Sequence, residues 1–171
     1  MLKCLLVVMK ELMDPHVVAA ARPSDFGVFY SETWERVYRA LAVILRDHDL
    51  ARESVDEAMV RAFQRWSKVR MYDNPVGWVY RVALNYARSR RRRRWREVPW
   101  GSIELTWEMK TPNPDLMSAL IGLPLRQREV VVLRFLFDWS VREVAAALDI
   151  PSGTVKSRLH RAVATLREVM Q

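Results

Sequence analysis

Apolar side chains recur every three or four residues through most of this chain, which is the spacing of one face of an α-helix. Phe26, Tyr30, Val37, Leu41 and Ile44 predict a helix from about Asp25 to Arg46. Val55, Met59, Ala62, Phe63 and Trp66 predict a second from about Leu50 to Val69. A third begins near Pro75, a residue suited to a first helical turn. It runs through Trp78, Val79, Val82, Ala83 and Tyr86 into Arg88–Arg94. The polar stretch Arg70–Asn74 breaks the pattern between the second and third helices. Further on, Pro124–Phe137 reads as a helix. The chain is therefore expected to be all-α, built as two small helical domains joined by a linker.

The sharpest local pattern is SVREVAAALDIPSGTVKSRLHRAVATLR, Ser140–Arg167. Ser140 and Glu143 have the spacing of a capping box. Val141, Val144, Ala145 and Leu148 follow as an apolar stripe. Asp149–Gly153 then breaks the helix, and Ser152 is placed to cap another. Val155, Leu159, Ala162, Val163 and Leu166 form the inner face of that last helix, leaving Lys156, Ser157, His160 and Arg161 outside. Two short helices about a tight turn, the second with donors on its outer face, suit a DNA major groove. A helical hairpin with a solvated basic face would show the same pattern.

Charge sharpens this picture. The chain has 28 Lys and Arg against 20 Asp and Glu, a net charge of +8, which favours a polyanionic partner over a neutral small molecule. Residues 24–96 hold 16 basic and 9 acidic residues, whereas 97–115 hold four acids, one Lys and three prolines. That shift marks 97–115 as a linker, with Trp100 and Trp107 in it, between domains at 24–96 and 116–171. The single Cys4 excludes an internal disulfide and suits a reducing cytoplasm. Met1–Met13 is too short an apolar run to span a bilayer. Residues 1–23 are read as a frayed or locally packed leader, and no membrane insertion is expected.

Two features of the third helix bear on chemistry. Arg81–Arg96 contains eight arginines and no acid. Such density exceeds what internal pairing can satisfy and points to phosphates, although a solubilising tract would look alike. Trp78, Tyr80, Asn85 and Tyr86 precede the run, and aromatics among arginines suit unstacked bases. Periodicity places Trp78 mainly in the core, which leaves Arg81 and Asn85 as the better contacts. On the second helix, Arg52, Glu53, Asp56, Glu57, Arg61, Gln64 and Arg65 face outward, a pattern that by itself reads as a solvated face.

Together these segments resemble an extracytoplasmic-function (ECF) sigma factor of the sigma-70 class. LPLRQREVVVLRF, Leu123–Phe135, with the helix-turn-helix after it, looks like sigma domain 4, and GTVKSRLHRA resembles the family's recognition helix. PVGWVYRVALNYARSRRRRR, Pro75–Arg94, looks like a helix of sigma domain 2, and LARESVDEAMVRAFQRW is similar to the segment that binds the polymerase clamp. The resemblance implies −35 contacts by Lys156, Ser157, Arg158, His160 and Arg161. It implies −10 contacts by Arg70, Tyr72, Asn74, Arg81, Asn85 and Arg88, with the 70–74 loop shaping a pocket for a flipped base. It implies polymerase contacts by Glu53, Asp56, Glu57 and Arg61. Asp149 stands where the family often has Gly, and Asp tolerates left-handed backbone better than most residues.

The resemblance also implies partners: core RNA polymerase, promoter DNA and, as a further candidate, an anti-sigma factor. It implies a cytoplasmic, non-enzymatic protein that directs promoter-specific initiation with no cofactor or metal. A helix-turn-helix regulator that works without polymerase is the alternative. It would ordinarily dimerise on a symmetric site, and it leaves the arginine-rich first domain unexplained. An enzyme fits least, because His16, His48 and His160 are scattered, Asp47-His48-Asp49 reads as an inter-helix turn, and no Gly-rich phosphate cradle is present.

Overall fold

Helices account for nearly all of the two units that the computed structural model describes, residues 25–97 and 114–169. The leader with Cys4 and His16, and the linker tryptophans Trp100 and Trp107, lie outside the described residues. Among the described residues there is no strand, and no helix is long and apolar enough to cross a membrane.

The first unit contains α1 (Phe26–Leu45), α2 (His48–Gln64), the short α3 (Trp66–Val69) and α4 (Pro75–Glu97). Asp25 starts α1 by accepting from the Gly27 amide at 2.7 Å. Asp47 starts α2 by accepting from the Leu50 amide at 2.9 Å. The 47–49 stretch is thus a cap and first turn, and α2 begins two residues earlier than its apolar pattern indicates. Val37, Leu41 and Ile44 of α1 meet Val55, Met59 and Ala62 of α2 and Val79, Ala83 and Leu84 of α4 in one buried core.

Three expectations are corrected here. The helix expected to run to Val69 breaks at Arg65, whose backbone leaves the helical region (φ −121°, ψ 19°). The break lets Trp66 lie against Phe26 and Phe29, at ring distances of 5.4 and 4.8 Å. Phe63 and Tyr30, assigned to apolar faces, are 65% and 41% exposed. Position 63 falls at the edge of the buried 55–59–62 stripe, where its ring meets that of Phe26 at 5.1 Å. Tyr80, expected among aromatics open to bases, is fully buried in the core.

The second unit contains α5 (Pro114–Gly122), α6 (Leu125–Leu136), α7 (Val141–Leu148) and α8 (Ser152–Val169). The 97–115 linker therefore ends earlier than its composition indicates, and α5 was not legible as a helix. Its apolar side chains Leu116, Met117 and Leu120 are buried, with Asp115 in the first turn. Arg128 of α6 is also buried, and its Nη2 donates to the carbonyls of Ile121 (2.7 Å) and Leu123 (2.8 Å). A charged donor thereby satisfies carbonyls left over where α5 ends. The capping box of α7 forms as its spacing predicts. The Glu143 amide donates to Ser140 Oγ at 3.2 Å, and the Ser140 amide donates to the Glu143 carboxylate at 2.7 Å. Asp149 ends α7 in the left-handed region (φ 57°). Ser152 lies within the first turn of α8; the amides of Thr154 and Val155 bond instead to the Pro151 carbonyl.

Candidate nucleic-acid interface

The helix-turn-helix presents its polar face because most of its apolar face is used in packing, with Leu159 and Val163 of the expected inner face half-buried. Val155, Ala162 and Leu166 of α8 are buried against α6 and α7. Positions 156, 157, 160 and 161 consequently share the opposite side, and Lys156, Ser157, His160 and Arg161 are all exposed. Ser157 turns its hydroxyl back to the Thr154 carbonyl at 3.0 Å. Arg158 is half-buried and lies off that face. Lys156 and His160 also border an apolar groove of about 440 Å³, floored by Phe135, Leu159 and Val163.

In the first unit, α4 divides its side chains by face. Val79, Tyr80, Ala83, Leu84 and Ala87 are buried, while Arg81, Asn85, Arg88 and Arg92 form an exposed stripe at helical spacing. The loop before α4 divides its residues too. Arg70 is exposed, and Tyr72 is exposed with its ring 6.3 Å from that of Trp78. Asn74 is half-buried and serves the backbone, accepting from the Gly77 amide at 2.6 Å as the N-cap of α4. Trp78, assigned mainly to the core, is half-buried.

Glu53, Asp56 and Glu57 of α2 point in three directions. Asp56 accepts from Trp34 Nε1 of α1 at 2.7 Å. Glu57 pairs with Arg61 one turn along at 2.7 Å. Glu53 reaches α4, where its Oε1 accepts from the Tyr86 hydroxyl at 2.7 Å and pairs with Arg90 Nη2 at 2.8 Å. The Tyr86 phenol consequently titrates above the ordinary tyrosine range. The hydrogen bond to Glu53 is the main cause, and loss of solvent adds to it. Sequence spacing gave no sign of this junction, since Glu53 and Tyr86 are 33 residues apart.

Comparison with known proteins decides what this pair of surfaces belongs to. Residues 115–166 match the family profile described as sigma-70, region 4. The RNA polymerase sigma-E factor of Streptomyces avermitilis is 32% identical over 153 residues, which is 86% of each chain. The ECF RNA polymerase sigma factor SigL of Mycobacterium tuberculosis is 30% identical, over 90% of this chain and 93% of its own length. The chain belongs to the ECF RNA polymerase sigma factors. Among solved structures, the sigma factor RpoE of Bartonella quintana, determined with the anti-sigma factor NepR, gives a TM-score of 0.73 at 24% identity. It covers 86% of this chain and 98% of that one. CnrH, determined with the cytosolic domain of CnrY, gives 0.59 at 21% identity over 96% of each chain. Both likenesses support the fold. As an ECF sigma factor the protein acts in transcription initiation through RNA polymerase and is not an enzyme. Within this sigma factor, α5–α8 correspond to region 4, and α7–α8 are its DNA-binding helix-turn-helix.

Proposed function

We propose that this sigma factor reads two promoter elements with the two faces described above. Lys156, Ser157, His160 and Arg161 enter the major groove at −35, with Arg158 a phosphate neighbour at the edge of the helix. A good bidentate contact there contributes about 1–3 kcal/mol of discrimination between bases. Arg81, Asn85 and Arg88 line the path of the opened −10 strand, and Arg70 and Tyr72 flank a pocket for an unstacked base. Asn74 supports this site indirectly, by capping α4. Extruding a base costs a few kcal/mol, which stacking and pocket contacts offset. Asp56, Glu57 and Arg61 meet core polymerase from the outer side of α2. The protein acts in the cytoplasm, and an anti-sigma factor regulates it, as the pairing of RpoE with NepR suggests.

The observation that carries this reading is one chain with two exposed basic stripes, on α4 and on α8, each backed by its own buried core. The test is run-off transcription with core polymerase and a genomic promoter library. Protein-dependent transcripts that share two upstream elements are expected. Arg161→Ala should weaken −35-dependent transcription far more than core binding. Equal loss of both would sink the −35 assignment. Protection of a symmetric duplex without polymerase would mark a stand-alone regulator.

A further inference from the structure

The arginine run of α4 has no acid of its own between Arg81 and Arg96, so any internal counter-charge must come from another element. Glu53 of α2 supplies one. Its Oε1 holds the Tyr86 hydroxyl and Arg90 Nη2, two donors one helical turn apart on α4. Those donors are an O–H and a guanidinium N–H converging on a single anionic oxygen, the arrangement a nucleic-acid phosphate would otherwise accept. Arg90 Nε is buried although the Arg90 side chain as a whole is 43% exposed, so one edge of this guanidinium faces the protein.

We infer that Glu53 is a positioning residue that acts as the internal counter-ion of the arginine helix. It withholds Arg90 from nucleic-acid phosphates, while the buried face of α4 keeps Arg81, Asn85, Arg88 and Arg92 outward. This assigns Glu53 to the nucleic-acid side of the protein and not to the polymerase side. The inference rests on the proposed reading of α4 as the face for the opened strand. Its physical basis is charge accounting. A guanidinium whose charge is already matched by a carboxylate does not also neutralise a phosphate, so it releases none of the cations condensed on the strand.

The consequence is a specific number. Each cation that neutralises a phosphate of a single strand steepens log Kobs against log salt by about 0.7. The full-length protein would be titrated with a fluorescent single-stranded oligothymidylate over a range of salt. Glu53→Gln should steepen the slope by about 0.7, because Arg90 is released. Arg90→Gln should leave the wild-type slope unchanged, and the double variant should return to it. Core polymerase binding of Glu53→Gln should stay within about twofold of wild type, the scale of a lost exposed charge away from a contact. Tyrosine absorbance gives a control independent of DNA: the ionisation step that Tyr86→Phe removes should move to lower pH in Glu53→Gln.

Three outcomes would overturn the inference. A slope flattened by about 0.7 in Arg90→Gln would place Arg90 among the phosphate contacts. Loss of core binding in Glu53→Gln with an unchanged slope would return Glu53 to the polymerase. An unmoved Tyr86 titration would mean that the junction does not form in solution. If the wild-type protein binds no oligothymidylate, the strand-capture reading of α4 fails, and the Tyr86 titration still decides the junction.

Discussion

Replacing Arg128 by methionine tests how the second unit is held together. Methionine keeps the length and apolar bulk of the side chain but removes the Nη2 donor that bonds the carbonyls of Ile121 and Leu123 at 2.7 and 2.8 Å. A hydrogen bond from a charged donor has a net value of about 1.5–3 kcal/mol, and an unsatisfied buried carbonyl costs about 1–3 kcal/mol. With two such carbonyls the loss is roughly 3 kcal/mol or more. A helical unit of about 55 residues has only roughly 3–8 kcal/mol of stability in total. The variant should therefore leave region 4 substantially unfolded at physiological temperature. At this size each kcal/mol shifts Tm by about 4–8 °C, so a fall of more than about 12 °C is expected for the transition of this unit. Hydrogen exchange resolved by peptide assigns the loss, with α6 and α7 losing protection and α1, α2 and α4 retaining theirs. Duplex DNA binding through α8 should fall with it. Arg128→Lys, which keeps one compact donor group, should lie between. A Tm for Arg128→Met within about 2 °C of wild type, with exchange unchanged, would refute the reasoning, since even one lost bond exceeds that shift.

Two further predictions concern α4. Gly→Ala within a helix ordinarily gains up to about 1 kcal/mol, but a Cβ at Gly77 would lie 2.9 Å from Asn74 Cγ and Nδ2. The cap must move, at a cost of about 1 kcal/mol. Gly77→Ala should therefore show no stabilisation in urea unfolding, whereas the same change in an Asn74→Ala background should stabilise; equal effects in both backgrounds would dissociate Gly77 from the cap. Tyr86, whose folded pKa is raised above the unfolded value of about 10, should contribute its full stability below about pH 10. It should lose that contribution as pH rises through the folded pKa. The stability difference between wild type and Tyr86→Phe should thus narrow in alkaline solution, and a difference that widens there would contradict the junction with Glu53.

Where local chemistry sets structure, the sequence was readable. The capping box at Ser140 and Glu143, the left-handed residue at Asp149 and the exposed set on α8 all depend on neighbours within one or two helical turns. The buried stripes of α1, α2 and α4 followed from periodicity for the same reason, since most of each stripe is a property of one helix. The failures have a common cause in contacts between elements. The break at Arg65 is coupled to Trp66 packing on Phe26 and Phe29, some 37 to 40 residues earlier in the chain. Tyr80 reads as amphipathic by type and is buried by where α4 meets its neighbours. Asn74 carries a chemistry suited to bases, yet the backbone of α4 uses it first. α5 was lost because proline-rich composition on its N-terminal side masked a short apolar run.

Separation of folding from recognition on α8 has a consequence for how promoter preference can change. The orientation of α8 is set by the capping box, by the left-handed turn at Asp149 and by the buried Val155, Ala162 and Leu166, none of which belongs to the outer face of α8. Substitutions at exposed helix positions ordinarily change stability by no more than about 0.5 kcal/mol. A base contact from the same position contributes about 1–3 kcal/mol of discrimination. If His160 makes the base contact proposed for it, the second quantity exceeds the first, and a change there would redirect base preference while the unit stays folded. At Arg128 the reverse holds, because its whole effect passes through the fold. On that reading, selection on promoter sequence would act on the outer face of α8 almost independently of selection on stability.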